Sequence, residues 1–214
     1  MGVLEIVGII LVAIFAPLAA LLLTSFFVRE KHEKKFRDIM ATYMAKDFEK
    51  AHVLGTEFIT SSEKFINKFF VRSMRQAVLT CMISLNVHLN NFDNLERAAQ
   101  EIRRKKLVFP KYFWLTFAEL KKEDGNLETA QMYQGFMMNA EKKPASFERS
   151  VKGIEALFAV KNGDKKLAAQ IIEEIYPELE NPVLVEHFGS LREKPKPEKT
   201  EVKKTKKTAN KKKK

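Results

Sequence analysis

An almost unbroken apolar run, Val3 to Val28, opens the chain and constrains it more than any other feature. It holds 26 residues, about 39 Å as a helix at ~1.5 Å per residue. A bilayer's hydrocarbon core is about 30 Å thick, so the run predicts a single-pass transmembrane signal-anchor helix over residues 1–28. Arg29, Lys31, Lys34 and Lys35 follow at once, and no Lys or Arg precedes the run. Basic residues stay on the cytoplasmic side, which predicts an outside N-terminus and a cytoplasmic bulk. The host membrane would be the cell membrane of a bacterium or the endoplasmic reticulum of a eukaryote. Pro17 predicts a mid-span kink. A cleaved signal peptide fits poorly, because the n-region has no base and the apolar run is too long. Myristoylation at Gly2 wants Ser or Thr where Ile6 stands.

The other terminus is as distinctive. From Arg192 to Lys214, twelve basic residues face Glu193, Glu198 and Glu201, so the tail carries +9 of the chain's +11. With Pro195, Pro197 and no aromatic residue it cannot bury enough surface to offset chain entropy, and it reads as disordered. Lys203, Lys204, Lys206, Lys207, Lys211, Lys212, Lys213 and Lys214 are the candidates for contact with a polyanion, either anionic lipid or RNA. A solubilising tail with no dedicated partner is the third reading. The absence of aromatics argues against sequence-specific RNA recognition.

Between a basic juxtamembrane segment at 29–35 and the tail at 192–214 lies a predicted domain, 36–191. Apolar residues recur there at three- and four-residue spacing, as in Phe36, Ile39, Met40 and Tyr43, or Phe113, Phe117 and Leu120. That is amphipathic-helix periodicity, so the fold class is all-α. Polar or glycine breaks fall at Thr60-Ser61-Ser62, Asn90-Asn91, Asp124-Gly125-Asn126 and Asn162-Gly163-Asp164, and such short breaks imply antiparallel neighbours. Four segments repeat one pattern, a turn and then a helix opening with a small residue: Asp47 to Ala51, Asp93 to Ala98, Gly125 to Ala130 and Gly163 to Ala168. Their alanines are 47, 32 and 38 residues apart. The longest gap predicts an extra or extended helix near Ser62–Val78.

On these residues the chain resembles the tetratricopeptide repeat family. Trp114 stands sixteen residues before Ala130, with Phe117, Ala118 and Gly125 at the next signature places. Ala51, Ala98 and Ala168 take the small-residue place in the other units, where a small side chain lets two helices approach closely. The resemblance spans roughly Phe36 to Asn181. It implies a TPR-like α-solenoid of helix pairs whose concave face binds a protein partner. Arg72, Arg75, Lys111, Lys121 and Lys122, on the first helices of the pairs, are the candidate partner-binding residues, and an acidic peptide would suit them. Arg103, Arg104, Lys105 and Lys106 read as the basic end of a helix. Phe109, Tyr112, Phe113, Trp114 and Phe117 read as core before ligand patch.

No catalytic pattern stands out. His32, His52, His88 and His187 are scattered, with no zinc spacing. Cys81 sits among apolar neighbours, and there is no phosphate-binding glycine loop or nucleophile elbow. The expectation is a non-enzyme with no cofactor, no metal and no small-molecule substrate. It would be a membrane-anchored, cytosol-facing adaptor or scaffold with a polybasic tail. The alternatives are a membrane tether for RNA or ribosomes and a structural subunit of a membrane complex.

Overall fold

The computed structural model describes residues 3–64 and 70–192, with side chains from residue 13 onward except residue 14. One turn design recurs in it. Lys46 (φ 62°), Asn90 (φ 57°) and Gly163 (φ 80°) are left-handed, the conformation that ends a helix. Asp47, Asn91 and Asp164 follow them and open the next helix. Asp47 Oδ1 accepts from the Lys50 amide at 3.3 Å and Asp164 Oδ1 from the Leu167 amide at 3.0 Å. Asn126 does the same for Glu128 and Thr129 at 2.8 and 3.0 Å. Each such cap satisfies amides that a helix leaves without partners. Gly125 precedes that last cap because a Cβ there would stand 1.8 Å from the Glu119 carbonyl oxygen.

These turns join helices in pairs. The first pair is α1 (Val3–Met44) with α2 (Phe48–Ser61), and the second is α3 (Arg72–His88) with α4 (Phe92–Glu101). The third is α5 (Val108–Lys121) with α6 (Leu127–Met138), and the fourth is α7 (Phe147–Lys161) with α8 (Lys165–Ile175). The four repeated segments each open the second helix of a pair. First helices also touch in succession, α1 on α3, α3 on α5 and α5 on α7. Among the described residues there is no strand.

Buried apolar side chains form one continuous core from Ile39 and Tyr43 of α1 to Ile172 of α8. Ala51 and Ala130 are fully buried, Ala168 nearly so, and Ala98 half-buried. At Gly55 an added Cβ would come 2.2 Å from Met82 Sδ, which marks a close crossing of α2 and α3. Phe109, Phe113, Trp114 and Phe117 are all core. The extended helix expected near Ser62–Val78 is in part α3, from Arg72; residues 65–69 lie outside the described residues.

A last helix, α9 (Pro182–Leu191), is laid across the first helices. Asn181, its cap, accepts from the Tyr43 hydroxyl of α1 at 3.1 Å. Glu186 reaches His88 of α3 at 3.8 Å. His187 and Phe188 pack on the Phe117 ring of α5. Phe188 also lies over Gly153 of α7, where an added Cβ would be 3.5 Å away.

The expected membrane-spanning helix is corrected by the structure: among the described residues no helix is long and apolar enough to cross a membrane. The run does not stand as a separate span: α1 continues unbroken from it through Arg29, Glu30 and Lys31 to Met44. Side chains of residues 1–12 and 14, the earlier part of the run, lie outside the described residues. Within the 29–35 segment His32 is buried edge-on against the Phe58 ring of α2, while Arg29, Lys31 and Lys34 are exposed. Upstream, Phe15, Leu18, Leu22 and Phe26 are 50–63% exposed.

Candidate functional site

Pairing α3 with α4 brings the start of one helix beside the end of the other, and both termini are rich in arginine. The cleft between them, about 470 Å³, is lined by Arg72, Arg75, Gln76, Arg97, Gln100, Glu101, Arg103 and Arg104. Its floor is fixed by hydrogen bonds. Arg75, 3% exposed, donates to Ile59 O and Ser62 Oγ, each at 2.8 Å, and pairs with Glu101. Gln76 donates to Glu101 O and accepts from the Arg103 amide, both at 3.2 Å. Arg104 donates to Ser73 Oγ at 2.8 Å.

The rim differs. Arg72, Arg97 and Arg103 are exposed, and none has a side-chain acceptor or acidic partner among the described residues. One carboxylate, Glu101, therefore stands against five guanidinium groups, an excess of four positive charges. The field is reinforced by α3, a helix of 17 residues whose N-cap, Val71, supplies no side-chain acceptor and whose first turn has no acidic residue. A helix N-terminus carries partial positive charge, and here arginines are added to it. Such a concavity can hold an anion through forked, charge-assisted hydrogen bonds.

The five expected partner-binding residues part company. Arg72 and Arg75 share this cleft, Arg72 at the rim and Arg75 as an internal tie. Lys111 lies in a separate hollow of about 190 Å³ with Glu96, Tyr112 and Tyr133, and burial pulls its pKa down. Lys121 Nζ donates to Val87 O at 2.6 Å and His88 O at 3.1 Å, closing the C-terminal end of α3. Lys122 pairs with Glu119 at 2.5 Å and lies over the Phe92 ring. The tail lysines expected to meet a polyanion, Lys203, Lys204, Lys206, Lys207, Lys211, Lys212, Lys213 and Lys214, all fall outside the described residues.

Sequence reasoning missed Arg97, Arg103 and Arg104 as site residues. It placed the basic cluster 103–106 in the last turn of a helix. In the structure α4 stops at Glu101, Ile102 is its extended cap, and Arg104 is extended ahead of a 3-10 turn at Lys105–Leu107. The helix stop turns these arginines into cleft walls.

A second, mostly apolar hollow of about 380 Å³ lies between α1, α7 and α9, lined by Met40, Met44, Leu179, Leu184 and Phe188 among others. Tyr43, at its edge, is held by Ser84 Oγ at 3.0 Å and Asn181, and burial pushes its phenol up. Cys81 is buried and its thiol is pushed up to about 12, so it stays protonated. Among the described residues no group of three His, Cys, Asp or Glu side chains is placed to hold a metal ion. A scan against protein-family models finds no match to this chain, and neither curated proteins nor solved structures give one.

Proposed function

We propose that this chain is a protein-binding adaptor that holds an acidic segment of its partner in the arginine cleft between α3 and α4. One observation carries the reading: three rim guanidinium groups, without partners among the described residues, surround a single concavity that already has surplus positive charge. Surface arginines usually find a carboxylate when one is near, and leaving several together costs mutual repulsion. An acidic ligand removes that repulsion and satisfies the donors.

The layout of α9 also favours this place. Stacked helix pairs bind along an extended concave surface, and the first helices form one layer of this stack. Here α9 lies across that layer, against Tyr43, His88, Phe117 and Gly153. The open, charged concavity is the one at the end of the second pair. Among the described residues no aromatic side chain lines it, so it lacks the stacking surface by which single-stranded nucleic acid is held.

The test is co-purification with the full-length chain beside the variant R72E/R97E/R103E, with helicity compared by circular dichroism. The adaptor reading expects a protein partner that accompanies the parent chain and is lost from the equally helical variant. Equal recovery of the same proteins by both forms would contradict it.

A further inference from the structure

We infer that the anion this cleft selects on its partner is a phosphate monoester, carried by phosphoserine or phosphothreonine, rather than a side-chain carboxylate. The inference rests on the adaptor reading above and narrows it.

Charge stoichiometry comes first. The cleft has an excess of four positive charges after Glu101 is counted. A carboxylate brings one negative charge, whereas a phosphate monoester brings about −1.5 to −2 at neutral pH. Donor geometry points the same way. A carboxylate presents two oxygens and is filled by one arginine fork. A phosphate presents three terminal oxygens and can accept from several forks at once. Arg72, Arg97 and Arg103 stand on three different segments, α3, α4 and the extended stretch after it, around one cleft.

The walls set the rest of the specificity. Every described lining residue is Arg, Gln or Glu. Among the described lining residues, phosphotyrosine would find no apolar surface for its ring and a nucleic acid no aromatic side chain for its bases. A small phosphorylated hydroxyl on an acidic segment meets both conditions. The α3 N-terminus, without an acidic side chain in its first turn, adds to the field at the same mouth.

Three peptides that share glycine- and alanine-rich flanks and differ only in a central Ser, Glu or phosphoserine test this by isothermal titration with the full-length chain. Phosphoserine should bind about ten-fold more tightly than Glu, and Ser should not bind measurably. Acidification from ~pH 7 to ~pH 5 should weaken only the phosphopeptide, because its second proton returns near pH ~6. R72E/R97E/R103E should abolish the binding. R97K/R103K, which keeps the charge but loses the forks, should weaken it several-fold and guards against misfolding of the first variant. Equal affinity for Glu and phosphoserine, lost in R72E/R97E/R103E, would overturn the phosphate inference and leave the adaptor reading standing. Phosphopeptide binding that survives R72E/R97E/R103E would place the contact elsewhere and overturn it. Tighter binding of oligouridine than of the phosphopeptide, also lost in that variant, would reassign the cleft to nucleic acid. Absence of any peptide binding would overturn the inference, and the co-purification experiment would then judge the adaptor reading alone.

Discussion

Acid should loosen α9, and His187 gives the size of the effect. Its ring packs on Phe117 with centroids 4.8 Å apart. Burial first, then the positive charges of Lys121 and His88, pull its pKa down from 6.5 to about 4. The sign follows from linkage. The unfolded chain takes up a proton near pH ~6.5 that the folded chain refuses until about pH 4. The stability this histidine contributes is therefore complete above pH ~6.5 and is lost as pH falls toward ~4. Each unit within that window is worth ~1.4 kcal/mol, so going from ~pH 7 to ~pH 5 costs about 2 kcal/mol. Trp114, the only tryptophan, packs 5.4 Å from the Phe117 ring and reports on this region. Urea unfolding followed by its fluorescence should show that loss in the parent chain. In H187Q the loss should shrink to what other groups contribute, chiefly His88, whose pKa burial also lowers against the opposing pull of Glu186. An equal loss in both proteins would refute the reasoning.

Four further outcomes are expected. R75M should lower stability by about 3 kcal/mol by urea titration, because it cuts the buried tie from the end of α2 to Glu101; a change under ~0.5 kcal/mol would show the tie to be dispensable. G55A should destabilise by ~1–3 kcal/mol through its clash with Met82. G135A, with nothing within 4 Å of its added Cβ, should stabilise by ~0.5–1 kcal/mol, and thermal melts in the reverse order would refute the α2–α3 crossing. K121M removes a positive charge that depresses the His187 pKa, so an NMR titration should find His187 titrating at higher pH, and an unmoved titration would contradict that coupling.

What could be read from the chain was what local chemistry decides. Asp47, Asn90-Asn91, Gly125-Asn126 and Gly163-Asp164 mark the four turns in the sequence; Lys46, Asn90 and Gly163 supply the left-handed residue at three of them, and Asp47, Asn126 and Asp164 cap the following helix with their side chains. Trp114 and Phe117 were legible as core from spacing alone. The cleft was only half legible. Arg72 and Arg103 are far apart in sequence and meet because α3 and α4 fold back on each other. Arg75 has the same side chain as Arg72 and the opposite use, since its position on α3 turns it inward to Ile59 and Ser62. Nothing local shows that Pro182–Leu191 crosses the first helices, because that docking depends on Tyr43, His88 and Phe117 arriving from three other helices. Hydropathy counted the opening run as a span, but it could not show that the helix continues past Val28 to Met44 and packs on α2 through His32.

The most direct test of the central claim is amide hydrogen exchange on the full-length chain with and without an octaglutamate peptide. The account predicts new protection at 72–76 and 97–104, the two stretches that line the cleft, with the exposed lysines Lys142, Lys143 and Lys165 unchanged. Protection absent from 72–76 and 97–104, or confined to 193–214, would contradict it.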